Sequence, residues 1–346
     1  MEEKQDKNVT ILDVARMAGV SPSTVTHTLN GKRPVGEKTR DRVMKAIAAL
    51  NYIPSSNAQS LRGGKSRIIG CLAMDITETF VNQIVRGVER GLSGSGLSLL
   101  FVSRVEFGND YEAAYAFLKG HSIDGLLLCH HLPLGPALYP AVARNQVPTA
   151  SVNMEIPGVI SVIPDNYQGG FHAAEHLYAS GMRHPAMICG PANRLSVQDR
   201  LRGFRSRLRD LGLALEERNI LFGEYDFDNG YESSQKLMDS CKEIDGIFCA
   251  NDYIAAGTIA RLIEKGIAIP DQVRVLGFDN RDFSAFKPIP ISTFEQPLQE
   301  MGFMAISLLR NVIDTGGQQS NSSKHVLQSR LIPRASTMKL TRNFSI

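Results

Sequence analysis

The chain has 346 residues and a formal net charge of +3, with 38 Lys and Arg against 35 Asp and Glu. This length suits two or three domains with a substantial core, and a hydrophobic fraction of 43% is ordinary for a folded soluble protein. No stretch is long and apolar enough to span a membrane. The charged segment 1–8 lacks an apolar run, so we expect no signal peptide and a cytoplasmic protein.

The charge is distributed unevenly along the chain. Residues 1–66 carry 11 Lys and Arg against 6 Asp and Glu, a net of +5, whereas the remainder carries −2. A basic N-terminal segment ahead of a slightly acidic body is typical of a module that contacts phosphate groups, although a solvated basic surface is the alternative. The five cysteines occur singly, without metal-ligand or redox spacing, so we predict neither a metal nor a cofactor.

The first structural pattern is a pair of short helices. An apolar face at helical spacing predicts a helix over Ile11–Met17. Gly19 then suits a left-handed turn, Ser21 can cap a second helix, and Pro22 is favoured at the first position of that helix. Two short helices joined by a tight turn form a helix-turn-helix, whose second helix can present side chains to base edges in the major groove. Spacing alone leaves a simple helical hairpin open.

Two further helices are predicted in the same region. Three apolar residues at helical spacing predict a third helix over Glu37–Leu50. Residues 55–62 then form a short helix candidate, which Gly63 and Gly64 close.

Short motifs in these segments resemble those of a known family. They are Thr10–Ala15, Gly19–Ser21, Thr24-Val25, Thr39-Arg40 and Asn51–Pro54, followed by Ala58 and Ser60-Leu61. They resemble the N-terminal domain of lactose/galactose-repressor family transcriptional regulators, and the similarity extends over almost the whole chain. Thr26 is a departure, because the family usually has Ser there. His27 stands at a position that varies among members, so the operator sequence is left open.

The resemblance implies DNA contacts for a defined set of residues. These are Ser21, Pro22, Ser23, Thr24, Thr26, His27, Asn30, Tyr52, Ser55, Ala58, Leu61 and Arg62. Family members fold the segment matching Ser56–Leu61 into a helix on specific DNA and press a leucine, here Leu61, into the minor groove. An apolar wedge of this kind unstacks a base step, and the bent DNA recovers the cost through added contacts.

From residue 68 onward the pattern changes to alternating strands and helices. Strands are predicted over 68–74, 97–102, 125–129, 147–152 and 159–163, and then over 185–189, 247–250 and 273–278. The alternation predicts parallel sheets covered by helices, and its repetition predicts two lobes with a cleft between them. Ligands bind at the carboxyl ends of strands in such sheets.

The body resembles periplasmic sugar-binding proteins, as the bodies of the family do. The predicted fold is therefore α/β, with an N-terminal helix-turn-helix joined by a hinge helix to a two-lobed, periplasmic-binding-protein-like body of parallel sheets. The implied domains are a DNA-binding domain at 9–54, a hinge helix and linker at 55–66, and an effector-binding and dimerisation body at 67–338. Lobe 1 would span about 67–165 and 296–325, and lobe 2 about 166–293 and 326–338.

Polar and aromatic residues at strand ends and helix starts are candidates for the ligand site. They are Asp75, Arg200 at the opening of the helix predicted over 201–211, Phe227 in the loop predicted over 225–230, Asn251 and Asp279. Such a set suits a sugar, because carboxylates accept hydroxyl protons, Arg and Asn donate to hydroxyl oxygens, and a ring covers a C–H face. The alternatives are a core ring for Phe227 and a turn residue for Asp75. Asp252 could cap the next helix.

The resemblance adds to this set. It implies that Arg200, Phe227, Asn251 and Asp279 line the effector cleft. Arg194 matches a position that some purine- and sugar-responsive members use, and Phe80 matches an aromatic residue near the cleft mouth.

These observations predict a sequence-specific transcriptional regulator, and specifically a repressor. We expect a homodimer on double-stranded DNA with a pseudopalindromic operator, associated with the nucleoid when bound. A small effector between the lobes, a sugar or sugar derivative, would control operator affinity as an inducer or as a corepressor. The absence of a phosphate loop, a His cluster and a nucleophile elbow argues against an enzyme.

The sequence is also compatible with other functions. One is a cytosolic solute-binding protein with a non-functional DNA domain, and another is a purine- or nucleoside-type regulator that depends on a corepressor. A third is an enzyme that acts on the bound sugar.

Overall fold

The computed structural model describes residues 9–30, 33–52, 66–108, 110–129, 142, 147–241, 243–316 and 323–338. The chain divides into two compact units, Met1–Arg67 and Ile68–Ile346. The second unit is the α/β body.

The N-terminal unit is built from helices and turns in its described residues. Its helices are α1 (Ile11–Ala18), α2 (Pro22–Asn30) and α3 (Glu37–Ala49). They enclose a small core that includes the fully buried Val14, Val25 and Val43. Gly19 ends α1 with a φ of 64°, a left-handed conformation that glycine adopts without steric cost. This turn sets the angle between α1 and α2, as the sequence predicts.

The body alternates strands and helices along the chain. Its strands are β1 (Ile68–Ala73), β2 (Ser98–Ser103), β3 (Gly125–Cys129), β4 (Thr149–Val152), β5 (Ile160–Pro164), β6 (Pro185–Cys189), β7 (Ile220–Phe222), β8 (Gly246–Cys249), β9 (Arg274–Leu276), β10 (Thr293–Glu295), β11 (Ser323–Leu327) and β12 (Arg330–Ile332). Its helices are α4 (Thr79–Leu92), α5 (Tyr111–Gly120), α6 (Asn166–Ala179), α7 (Leu195–Asp210), α8 (Phe227–Ser240), α9 (Asp252–Glu264) and α10 (Leu298–Asp314).

Lobe 1 is built on a six-stranded parallel sheet with the order β11-β5-β4-β3-β1-β2. Successive residues of a strand face opposite sides of the sheet. Leu127 of β3 accordingly belongs to the core under α4 and α10, whereas Leu126 and Leu128 belong to the core under α5. Both faces are covered, which explains why β3 is apolar along its whole length.

Lobe 2 repeats this arrangement on a four-stranded parallel sheet with the order β7-β6-β8-β9. The core on one face contains Phe204 of α7 and Phe248 of β8, whose ring centroids lie 5.2 Å apart. The core on the other face contains Leu237 of α8 and Ile259 of α9. Helix α9 begins three residues after β8, and Asn166 at the start of α6 is linked through Arg200 to the Ala250 carbonyl next to β8. Both helix starts therefore lie beside the carboxyl ends of lobe 2 strands.

In the described part of the body, the chain passes between the lobes at three places. It leaves β5 for α6 at Pro164–Asn166, leaves β10 for α10 at 295–298, and leaves β11 for β12 at 327–330. Strands β10 and β12 form a separate antiparallel pair, in which Phe294 faces Leu331. These crossing strands lie beside the cleft.

Two local expectations differ from the structure. Helix α7 begins at Leu195, so Arg200 lies in its second turn and does not open it. Helix α8 begins at Phe227, because the Asp226 carboxylate accepts the Asn229 amide and caps the helix within the predicted loop. Among the described residues, no helix combines the length and apolar character needed to cross a membrane.

Candidate functional site

The N-terminal unit fixes helix α2 through local caps and the small core. Thr10 donates its main-chain N–H and its hydroxyl to Asp13 Oδ2, at 3.0 and 2.7 Å, at the start of α1. Ser21 Oγ accepts the Thr24 amide at 3.2 Å and caps α2. Val25 points into the core, so the opposite side of α2 is left for other contacts.

The outer side of α2 presents short polar side chains. Ser21, Pro22 and Ser23 are exposed, and Thr26 and His27 are partly exposed. The Thr26 hydroxyl donates to the Pro22 carbonyl at 2.9 Å, while the residue remains partly exposed. A helix end with hydroxyl, methyl and imidazole groups can approach base edges closely.

The structure separates Tyr52 from the other predicted DNA contacts. This side chain is only 9% exposed and packs in the core with Val43 and Ala46. Its placement is therefore structural, because it closes the core beyond the end of α3. The predicted contacts Ser55, Ala58, Leu61 and Arg62, and the side chain of Asn30, lie outside the described residues.

A cavity of about 200 Å³ lies between the two lobes of the body. Four of the predicted effector residues line it: Phe80, Arg200, Asn251 and Asp279. Sequence reasoning missed the other lining residues, which are Glu78, Asn153, Ser196, Tyr225, Tyr253, Arg281 and Gln296. Phe80 and Glu78 belong to the start of α4 in lobe 1, whereas Arg200 and Tyr253 belong to lobe 2 helices.

Arg200 is held rigidly at the base of the cleft. Only 4% of its surface is exposed. Its Nε donates to Asn166 Oδ1 at 2.9 Å and its Nη1 to the Ala250 carbonyl at 2.5 Å. Its guanidinium carbon lies 3.6 Å from the centroid of the Phe278 ring. These contacts fix the orientation of the cation before any ligand arrives.

Asn251 has a largely structural role at the same edge. Its side-chain Oδ1 accepts the Ile254 amide at 2.9 Å and caps α9, while Nδ2 donates to the Tyr225 carbonyl at 3.3 Å. Asn251 thus ties α9 to the loop that places the Tyr225 ring in the cleft.

Two carboxyl groups lie close together beside the crossing strand β10. Asp279 accepts a hydrogen bond from Gln296 Nε2 at 2.6 Å. Asp252 has no exposed surface and accepts from Thr293 Oγ1 at 2.6 Å and from the Arg281 amide at 2.7 Å. Burial, together with the charge of Asp279, raises the pKa of Asp252 to about 8. Burial also raises the pKa of Asp279, against the opposing charges of Arg200 and Arg281.

The turn after β9 carries unusual backbone angles. Asp279 has a φ of 106° and Asn280 a φ of 53°, which non-glycine residues rarely adopt. Such conformations persist only where surrounding contacts hold them, and they cluster at functional sites. Here the contacts from Asp252 and Gln296 hold the turn against the cleft.

The same turn is connected to both crossing strands. Asn280 Nδ2 donates to Glu295 Oε1 on β10 at 2.9 Å, and Arg330 Nη2 on β12 donates to Glu295 Oε2 at 2.7 Å. Arg334 Nη2 donates to Asn280 Oδ1 at 2.6 Å. These hydrogen bonds therefore connect the cleft turn directly to the segments that join the lobes.

Three predicted effector residues lie outside this cleft. Asp75 forms a strand-end turn, accepting the Thr77 amide and hydroxyl at 2.8 and 2.7 Å, and these hydrogen bonds lower its pKa. Arg194 precedes α7 and is not among the lining residues. Phe227 is 43% exposed and stacks on Tyr231 with ring centroids 6.0 Å apart, since helix α8 directs it away. Tyr225, two residues earlier, supplies the aromatic ring that this segment places in the cleft.

No cluster of three or more His, Cys, Asp or Glu side chains within the described ranges is suited to hold a metal ion. A helix-turn-helix unit followed by a two-lobed body with a polar, aromatic-lined cleft defines an effector-controlled, DNA-binding transcriptional regulator.

Comparison with known proteins gives the family. Residues 10–55 match the model of bacterial regulatory proteins of the lacI family, and residues 174–337 match a periplasmic binding protein-like domain. The HTH-type transcriptional repressor PurR of Vibrio parahaemolyticus is 32% identical over 307 residues, which cover 87% of this chain and 90% of that protein.

Two solved structures extend the similarity to the fold. The lac repressor dimer bound to operator and the anti-inducer ONPF is similar with a TM-score of 0.82 and 26% identity, covering 96% of this chain and all of that one. The complex of the transcriptional regulator CelR with cellobiose has a TM-score of 0.70 and 27% identity, covering 95% and 99%.

The chain belongs to the lacI family of bacterial regulatory proteins. It is a DNA-binding transcriptional repressor with an effector-binding domain, and the proteins of this family that it matches are regulators, not enzymes.

Proposed function

We propose that this repressor binds a pseudopalindromic operator as a homodimer and that a sugar or sugar derivative in the interlobe cleft controls its affinity. One observation carries the effector proposal: the cleft combines carboxyl, amide and guanidinium groups with aromatic rings from both lobes. Hydroxyl groups pair with the polar groups, and the apolar face of a sugar ring packs on an aromatic side chain. The solved relative bound to cellobiose supports the same ligand class.

Control of DNA binding follows from the position of the cleft. A ligand that contacts Phe80 in lobe 1 and Arg200 in lobe 2 favours one relative orientation of the lobes. The turn at Asp279–Asn280 then transmits this preference through Glu295 to the crossing strands β10 and β12. A coupling of about 1–3 kcal/mol would change operator affinity by roughly five- to 150-fold.

On the DNA side, we propose that α2 enters the major groove with Ser21, Pro22, Ser23, Thr26 and His27 toward the bases. The exposure of this helix end supports the assignment. The minor-groove role of Leu61 rests on the family resemblance alone, because this residue lies outside the described part of the chain. Two copies are needed, since one helix reads too few base pairs for a useful specificity ratio.

The proposal is tested by selecting bound duplexes from a random pool with the purified protein at near-physiological salt. We expect a pseudopalindrome, and we expect His27→Ala to relax base preference at one position of each half-site. A uniform loss across all sequences would make His27 a phosphate contact or a packing residue. No enrichment, with or without a metabolite mixture, would contradict operator recognition.

The selected operator then serves as the probe for the effector. Neutral sugars, sugar acids, sugar phosphates, purines and nucleosides are added in turn, and operator affinity is measured. A response to a sugar supports the proposal. A response to purines or nucleosides alone would replace it with a purine- or nucleoside-responsive regulator.

A further inference from the structure

Arg281 spans the mouth of the cleft between the two lobes. Its guanidinium carbon lies 5.5 Å from the ring centroid of Phe80 in lobe 1 and 5.2 Å from that of Tyr253 in lobe 2. Its main-chain amide is held by the buried Asp252 carboxylate. Cation–π contacts of this kind orient a guanidinium without neutralising its charge.

The Arg281 cation lacks the partners that Arg200 has. Its Nε is buried and has no hydrogen-bond acceptor among the described residues, and it forms no ion pair with a described carboxylate. The other charges that line the cavity are Arg200, Asp279 and Glu78. Asp279 interacts with the charges of both Arg200 and Arg281, and Glu78 lies beyond ion-pair distance of Arg281. Two guanidinium cations therefore share one lining carboxyl group, that of Asp279.

A second lining residue has an unused atom of the opposite kind. Gln296 is only 4% exposed and donates Nε2 to Asp279, but its Oε1 is buried and accepts no hydrogen bond from a described residue. A buried polar atom without a hydrogen bond is unfavourable, so a ligand that pairs with this atom gains affinity. The cavity lining therefore has one unused donor, on the Arg281 cation, and one unused acceptor, on Gln296.

We propose that the effector is a small hydroxylated anion, whose carboxylate or phosphate oxygen accepts from Arg281 Nε and whose hydroxyl donates to Gln296 Oε1. This inference rests on the proposed sugar-responsive function and narrows its ligand class. A neutral sugar would satisfy Gln296 but would leave Arg200 and Arg281 to share the Asp279 carboxyl group as their counter-charge. The cavity of about 200 Å³ is below the roughly 300–1,000 Å³ of common ligand pockets, which favours a single sugar unit.

The test is calorimetric titration of the full-length protein with matched probes. The probes are D-glucose, D-gluconate, D-glucose 6-phosphate, D-galactose, D-galactonate and D-galactose 6-phosphate. We expect at least one acid or phosphate to bind about tenfold or more tightly than its neutral parent, as charge-assisted hydrogen bonds are stronger than neutral ones. Binding of the acids alone, or of the phosphates alone, identifies which anionic group the cleft takes.

Variants show whether Arg281 causes this preference. Arg281→Gln should remove it, and Arg281→Lys should retain part of it, because the charge persists without the planar fork. Arg202→Gln is the control, since Arg202 is exposed on α7 and pairs with Asp199 outside the cavity. It should leave every affinity unchanged.

Three outcomes would overturn the inference. One is a neutral sugar that binds as tightly as its acid and phosphate, and another is an equal effect of Arg281→Gln and Arg202→Gln. The third is no binding of any acid or phosphate by protein with a native melting curve. Neutral sugar binding that is independent of Arg281 would leave the proposed function intact. If nucleosides alone change operator affinity, the sugar ligand of the proposed function is wrong as well.

Discussion

Asp252 is a buried carboxyl group that holds the cleft turn in place. It accepts hydrogen bonds from Thr293 on β10 and from the Arg281 amide, and it has no exposed surface. Burial and the nearby Asp279 raise its pKa to about 8, from an ordinary value of 3.8. Between these two values the folded protein binds a proton that the unfolded chain has released.

This difference predicts the pH dependence of stability. Because the folded state binds more protons, the free energy of unfolding should fall as pH rises from about 4 to about 8, by at most about 1.4 kcal/mol per pH unit from this group. Asp252→Asn carries no titrating proton and should lose this contribution. Urea unfolding at several pH values between about 5 and 8 measures the difference between the two proteins.

The matched control is Asp282→Asn, since Asp282 is exposed just after the same turn. The free energy of unfolding of this variant should change with pH as that of the wild type does. If Asp252→Asn also gives a parallel profile, the carboxyl group is ionised throughout and the proposed proton uptake is wrong.

At the scale of residues, the predicted residues that line the cavity are those whose position in the chain determines their environment. Arg200, Asn251 and Asp279 follow strand ends or lie near a helix start, and the parallel sheet brings such positions together at one edge. Phe227 and Tyr225 are only two residues apart, and the Asp226 cap decides which ring enters the cleft. No local sequence pattern predicts Arg281 as a cleft residue, because its partners Phe80 and Tyr253 come from distant segments.

At the scale of elements, three helix pairs pack through reciprocal glycines. A Cβ on Gly170 of α6 would overlap the Arg200 carbonyl oxygen, and a Cβ on Gly203 of α7 would overlap that of Tyr167. The pairs α4–α10 and α8–α9 have the same arrangement, through Gly87 with Gly302 and Gly230 with Gly257. These close approaches set the position of α7, and therefore of Arg200 in the cleft.

Gly203→Ala should destabilise the body strongly. The added methyl group would overlap backbone atoms of α6 on both Tyr167 and Phe171, and the helices can relieve this only by moving apart. We expect a loss of about 3 kcal/mol in the free energy of unfolding, the upper end of the usual overpacking cost. Urea denaturation followed by circular dichroism measures it.

Gly120→Ala is the control for this substitution. Gly120 ends α5 in open space, so alanine there should be neutral or should stabilise by about 0.5–1 kcal/mol. Equal stabilities for the two variants would contradict the close packing of α6 and α7.

Predictability also differs between elements. Helix α10 has a helical apolar pattern, with Leu298, Met301, Ala305 and Leu309 on its buried side, and could have been identified from sequence. Strands β10 and β12 are three residues long, and Glu295 pairs with the distant Arg330. These two strands come from distant parts of the chain, and their pairing depends on how the lobes are placed. No local sequence pattern therefore predicts it.

At the scale of the whole molecule, exposed aromatic side chains on lobe 2 suggest where a second copy binds. Phe227 at the start of α8 is 43% exposed and Phe286 is 65% exposed. Gly257 of α9 packs against the Phe227 carbonyl, so the start of α8 lies on α9 at this surface. Aromatic residues are enriched at protein interfaces, and a homodimer would bury this surface.

Phe227→Glu should therefore weaken the homodimer. A charge placed in an apolar interface has to be desolvated without a partner, so we expect at least about a tenfold increase in the dimer dissociation constant, measured by sedimentation. Operator binding should weaken in parallel at protein concentrations near that constant, because both half-sites must be read together. Phe222→Glu is the matched control: Phe222 is 45% exposed at the end of the edge strand β7 and should leave the dimer unchanged. If both variants sediment as the wild type does, the exposed start of α8 is not part of the dimer interface, and Phe227 serves only to pack on Tyr231.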